Sequence, residues 1–142
     1  MTRPRFVVFY LACGIAAGLA QVAAGPGSAL PMVGASGAIS GVMGAYLVLY
    51  PRVRVFAFVP IGFFLTSIAL PAWTMLLYWI GLQVLGGLAS VGESAGGVAF
   101  WAHAGGFVAG AILVKLLAVP DRVADHTAQH WRPERVLWGT KG

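Results

Sequence analysis

The longest uncharged run in the sequence constrains the fold most strongly. No Asp, Glu, Lys or Arg lies between Arg5 and Arg52, and one membrane-spanning helix requires only ~20 apolar residues. Of the 142 residues, 59% are hydrophobic and 9% are charged, whereas ordinary soluble domains contain roughly 25% charged residues. The sequence therefore predicts an integral membrane protein with more than one span in this run.

Turn-forming residues divide the apolar sequence into about four predicted helices. The segment from Gly25 to Pro31 separates the first two, and the second helix is short for a full crossing, as expected if the loop before it dips into the membrane. Pro60 interrupts the run at 55–70, for which we expect an interfacial or partly re-entrant connection. The predicted spans are about 6–24, 36–50, 72–90 and 98–118. We thus expect an all-α bundle over 1–118 and a polar cytoplasmic tail over 119–142.

The distribution of basic residues predicts the orientation of the chain. All nine Lys and Arg residues precede the first span, follow the second, or lie at or beyond the end of the fourth. The only charged residue in the two opposite loops is Glu93, so the positive-inside rule predicts that both termini are cytoplasmic. We expect a bacterial-type inner or plasma membrane. The short basic clusters beside apolar runs favour topology signals over nucleic-acid binding. A cleavable signal ending near Ala23 is the alternative for the first span, although its apolar core is long for one.

Two residues could carry acid, base or nucleophile chemistry inside the apolar segments. Ser36 lies among glycines at the start of the second helix, and His103 lies at similar predicted depth in the fourth. His103, Gly106 and Gly110 share one helix face, and the natural partner for this face is that of Gly37 and Gly41. The simpler alternatives are that Ser36 only caps its helix and that His103 is a satisfied polar group in a bundle.

Other candidates are weaker. Cys13 is the single cysteine, so an intrachain disulfide is excluded, and a small buried hydrophobe is the favoured interpretation. His126 and His130 are four residues apart in the tail, but two ligands are fewer than the three or four protein ligands of a zinc site. We therefore expect no metal and no cofactor.

The motifs resemble those of the rhomboid intramembrane serine proteases. Residues 34–37, Gly-Ala-Ser-Gly, are similar to the Gly-x-Ser-Gly nucleophile motif of that family. Residues 103–110 are similar to its His-x-x-Gly-x-x-x-Gly motif. Residues 70–73, Leu-Pro-Ala-Trp, followed by Trp79 and Gln83, resemble the approach to the penultimate core helix. The resemblance extends from about residue 6 to residue 117.

This resemblance implies a serine endopeptidase without a cofactor. Ser36 would be the nucleophile and His103 the general base and later acid, and no Asp or Glu lies within a predicted span to complete a triad. The backbone around Ser36 would stabilise the oxyanion. The remaining residues implied for the site are Gly34 and Gly37 near the oxyanion, with Gly41, Gly106 and Gly110 in helix packing. Substrates would be membrane proteins cut in or near a transmembrane segment, with the lipid bilayer as the environment and the oligomeric state left open.

The sequence also departs from the family pattern. Its four spans resemble the third to sixth of a six-helix core, and the two upstream spans, one of which carries a His-x-x-x-Asn motif, are not in this sequence. A truncated core, a late start and a degenerate relative are the alternatives. Ser40 stands where many relatives carry an aromatic residue that packs on the histidine. The alternative function is an inactive rhomboid-like scaffold that binds client transmembrane helices.

Overall fold

Over the residues that the structure describes, the fold is a bundle of four helices with one small sheet. The computed structural model describes residues 1–27, 35–61, 64–90, 99–121 and 123–124. The elements in chain order are α1 (Arg3–Ala24), α2 (Ser36–Leu49), β1 (Arg54–Ile61), β2 (Phe64–Pro71), α3 (Ala72–Ala89) and α4 (Phe100–Leu117). The predicted helical membrane fold is confirmed.

The helices differ in whether they can cross a membrane. In the part of the chain that the structure describes, α1, α3 and α4 are long and apolar enough to do so, whereas α2 has only 14 residues. At 1.5 Å per residue α2 extends ~21 Å, short of the ~30 Å hydrocarbon layer. About four spans were predicted. The described residues contain three helices long enough to span a membrane and one shorter apolar helix. A helix of this length, if Arg52 beyond its end is in water, would leave Ser36 at its start inside the apolar layer.

The connection between α2 and α3 is an antiparallel β-hairpin. Its register runs from Arg54 opposite Pro71 to Ile61 opposite Phe64. For 55–70 the sequence predicted an interfacial or partly re-entrant connection of undetermined conformation, and the structure shows two paired strands there within a mostly helical chain. Val and Phe, which are frequent here, favour strands. Among the described residues each strand pairs only with the other, and lipid offers an unpaired strand edge no hydrogen bonds. These edges, together with Arg54 at the start of β1, favour a position of the hairpin at the aqueous interface.

The core is built around α4, against which α2 and α1 pack most extensively. Backbones approach closely where small residues face each other: a Cβ on Gly106 would overlap the Gly37 carbonyl, and one on Gly110 would overlap the Gly41 carbonyl. Lipid supplies no hydrophobic drive between helices, so such close contact provides the attraction instead. The α1 helix adds the fully buried Cys13 to this centre.

Large apolar side chains cover the outside of the bundle. Those of α1 project outward on one side and include Leu11, Ile15 and Leu19, which are more than half exposed. In water this surface would be costly, whereas in a bilayer it faces acyl chains. The exposed surface therefore agrees with a lipid environment.

Candidate active site

The structure brings Ser36 and His103 into direct contact. The distance between Ser36 Oγ and His103 Nε2 is 2.9 Å, which is a hydrogen bond. Ser36 is the first residue of α2 and is exposed, whereas His103 lies in the first turn of α4 and is partly buried. Two residues that are distant in sequence thus form one polar pair at the same end of the bundle.

Close packing of α2 on α4 sets this separation. Gly37 follows Ser36, and its carbonyl lies against Gly106, which is one helical turn after His103. Gly37 also lies against Ala102, the residue before His103. Because a Cβ on Gly106 would overlap the Gly37 carbonyl beside the polar pair, a larger residue at Gly106 would push α2 and α4 apart, whereas one at Gly37 would first meet Ala17 of α1.

The other edge of the imidazole faces α3. Gln83 Oε1 lies 2.8 Å from His103 Nδ1, and the ring of Trp79 lies with its centroid 5.7 Å from that of the imidazole, at 41° to it. Trp79 and Gln83 are four residues apart and so share one face of α3. In the sequence both residues served only as part of a resemblance, and these contacts were not predicted. The available signal was an amide in an apolar helix, since polar groups there need partners.

A second glutamine joins α1 to the start of α4. Gln21 Oε1 accepts a hydrogen bond from the Ala102 backbone N–H at 3.0 Å. Ala102 is the third residue of α4, and N–H groups in the first turn of a helix have no intrahelical partner. Gln21 therefore caps α4 from a neighbouring helix, directly before His103. This contact was also missed from the sequence.

At the position of Ser40 many relatives are expected to carry an aromatic residue that packs on the histidine. Ser40 has no ring and makes a different contact. Its hydroxyl donates to the Ser36 carbonyl at 2.7 Å, and the side chain is only 1% exposed. A hydroxyl bonded to the carbonyl four residues back is a common arrangement within helices. The aromatic contact to His103 comes instead from Trp79 of α3.

The electrostatics of the site come from backbone dipoles as well as side chains. Ser36 and Gly37 begin α2, where free N–H groups and the helix dipole favour negative charge. Gly34, the other residue expected near the oxyanion, lies outside the described residues, as do Glu93, His126 and His130. Gly41, Gly106 and Gly110 all lie between α2 and α4.

Together these features define a class: an integral membrane helical bundle in which a serine at a helix start is hydrogen-bonded to a histidine of a neighbouring helix. The rhomboid domain model matches residues 1–119, and the chain therefore belongs to the rhomboid family. This family contains intramembrane proteases and inactive relatives. Neither the curated proteins nor the solved structures contain a match to the chain.

Proposed function

We propose that this chain is an intramembrane serine endopeptidase with Ser36 as nucleophile and His103 as general base and acid. The observation that supports this proposal most directly is the 2.9 Å contact between Ser36 Oγ and His103 Nε2. A nucleophile and base within hydrogen-bond reach are the first requirement of covalent acyl transfer. Family membership supports peptide-bond hydrolysis as the reaction type, because the family includes intramembrane proteases.

The reaction proceeds in two halves. Ser36 Oγ attacks the carbonyl carbon of the substrate peptide bond while Nε2 of His103 takes the hydroxyl proton. The resulting tetrahedral intermediate collapses as the imidazolium gives this proton to the leaving amine, which leaves an ester on Ser36. Water then attacks the ester, with His103 again accepting and returning a proton. The products are the new carboxylate and the regenerated serine.

The start of α2 supplies stabilisation for the oxyanion. The N–H groups of Ser36 and Gly37 have no partner within the helix, and the positive end of the helix dipole lies beside them. Removing one oxyanion donor typically lowers the rate ~10²- to 10³-fold. Gly34 is proposed as a further backbone contributor from the motif that it shares with the family.

The proposed substrates are membrane proteins, cleaved in or near a transmembrane segment. The short length of α2 supports a position of Ser36 within the apolar layer, and its exposed side chain supports access from a segment within the bilayer. The one-sided distribution of Lys and Arg supports the proposal that both termini are cytoplasmic, with Ser36 nearer the opposite face.

A serine-reactive fluorophosphonate probe tests the proposal on the full chain in liposomes. We expect specific labelling that is abolished in Ser36→Ala and strongly reduced in His103→Ala. Ser90→Ala is the matched control, because the Ser90 hydroxyl donates to the Gly87 carbonyl at the carboxyl end of α3 and not to His103, and it should label like the wild type. Absence of labelling in a folded wild-type preparation would overturn the proposal and favour an inactive scaffold that binds client helices.

A further inference from the structure

We propose that Gln83 is a positioning residue that holds His103 in the one neutral tautomer able to act as a base toward Ser36. This inference rests on the proposed function of Ser36 and His103. Gln83 lies in α3, outside both the serine motif and the histidine motif, so the inference gives α3 a role in the reaction.

The contact between α3 and the imidazole joins Gln83 to Nδ1 of His103. The Oε1 atom of Gln83, 2.8 Å from Nδ1 of His103, is a carbonyl oxygen and can only accept a hydrogen bond. The imidazole must therefore donate through Nδ1–H. A neutral imidazole carries one N–H, so Nε2 is left with a lone pair. That lone pair faces Ser36 Oγ at 2.9 Å and can accept the hydroxyl proton.

The opposite tautomer is disfavoured at Nδ1 and is unreactive at Nε2. It would set the lone pair of Nδ1 against that of Gln83 Oε1, and it would direct Nε2–H at Ser36 Oγ. Serine could then no longer give its proton to the ring. The cost is raised because the contact is partly buried, and hydrogen bonds in surroundings of low dielectric constant are stronger. Gln83 thus takes the orienting place that a carboxylate holds in a triad, without a charge.

Trp79 limits the remaining freedom of the ring. It lies one turn before Gln83 on the same face of α3 and contacts the imidazole through its own ring. Rotation of the imidazole would break this contact and the bond from Nδ1 together. Both hydrogen-bond partners of the ring among the described residues are uncharged, so orientation depends on the geometry of α3.

The position of α3 is itself fixed next to this site. Gly86 lies against the ring of Phe100, and Gly87 lies against that of Trp101. These rings belong to the first turn of α4, which also carries His103. Because the glycines follow Gln83 by three and four residues, they set the depth and rotation of α3 at the amide.

The tautomer can be measured without any reaction. We would record ¹⁵N spectra of the full chain labelled at histidine, assigning His103 by its loss in His103→Gln. We expect the Nδ1–H tautomer of His103 in the wild type and in Gln83→Glu, because glutamate keeps a hydrogen-bond acceptor at this position. Gln83→Met, of similar size but without an acceptor, should show a mixture of forms. Leu85→Met, on an exposed side of α3, is the matched control and should match the wild type.

The reactivity of Ser36 supplies the second readout. The fluorophosphonate labelling rate should fall about tenfold in Gln83→Met, in line with the loss of one hydrogen bond, and stay within about twofold of wild type in Gln83→Glu and Leu85→Met. A tautomer that is unchanged in Gln83→Met, or a changed tautomer with unaltered labelling, would overturn the inference. If wild-type Ser36 never labels, the proposed function fails, and the spectra alone decide whether Gln83 sets the tautomer.

Discussion

Gly110 of α4 lies directly against the backbone carbonyl of Gly41 in α2, with no space between them for a side chain. One turn earlier along each helix, or nearly so, Gly106 meets Gly37 in the same way. The pair of Ser36 and His103 lies next to this double contact, at the end of the interface between α2 and α4. The separation of the two functional side chains is therefore set by glycine contacts that contain no functional group.

Gly110→Ala should destabilise the bundle. The added methyl would overlap the Gly41 carbonyl, and overpacking of this kind costs about 1–3 kcal/mol. The free energy of unfolding, measured by titration with SDS in mixed micelles, should fall by this amount. Gly18→Ala is the control, because no atom lies within 4 Å of a Cβ at Gly18. Equal stability of both variants would contradict the close approach of α2 and α4.

Gln21→Met should loosen the start of α4. It removes the acceptor for the Ala102 N–H, and loss of a helix cap costs about 1 kcal/mol. Hydrogen exchange at the Ala102 amide should accelerate, together with that of its neighbours in the first turn. Gln21→Glu keeps an acceptor and should retain more of the protection. Unaltered exchange in Gln21→Met would show that this bond does not cap the helix.

Trp79→Leu should slow the reaction at Ser36. The indole contacts the His103 ring, and aromatic pairs contribute about 0.5–1.5 kcal/mol beyond the area that they bury, so labelling by the fluorophosphonate should fall roughly three- to tenfold. Trp73→Leu provides the comparison, because Trp73 lies on the same helix but is 45% exposed. Similar rates in the two variants would exclude a role for the ring contact.

Gly86→Ala should separate α3 from α4. A Cβ there would lie 2.6 Å from a ring atom of Phe100, so the ring or the helix must move. We expect slower labelling of Ser36, because movement of α3 carries Gln83 away from His103. Gly81→Ala, with nothing within 4 Å of the new methyl, should label at the wild-type rate. The prediction fails if the two alanine variants label equally.

The orientation of the chain can be tested with single cysteines. Cys13 is fully buried, so it should not compete for a membrane-impermeant maleimide. Thr2→Cys should react from the cytoplasmic side, and Pro26→Cys from the opposite side, as the distribution of basic residues predicts. Reaction of both cysteines from one side would contradict a transmembrane α1.

The helices could be predicted from the sequence, because uncharged runs and turn-forming residues define them without reference to contacts. The expected bounds of 72–90 for the third helix, for instance, compare with Ala72–Ala89 in the structure. The hairpin could not be predicted. An apolar run of this length that contains Pro60 is compatible with an interfacial segment or with a pair of strands. Only the strand pairing seen in the structure distinguishes these two conformations.

Part of the candidate site followed from the sequence for a similar reason. The glycine spacing around Ser36 and His103 marks which faces meet, since close approach requires small residues. The contact of Gln83 with His103 was not predictable in this way. Large apolar residues surround most of α3, so hydrophobic periodicity does not fix its rotation. That rotation depends on Phe100 and Trp101 packing against Gly86 and Gly87.

The main-chain contact between α2 and α4 has a consequence for how the protein responds to its membrane. Helices adapt to bilayers of different thickness by tilting, and two helices joined through their backbones must tilt as a single body. The distance between hydroxyl and imidazole should then be insensitive to lipid chain length. The α3 helix contacts α4 through the side chains of Phe100 and Trp101 and not backbone to backbone, so a change of bilayer thickness should move α3, and with it Gln83, more than it moves α2.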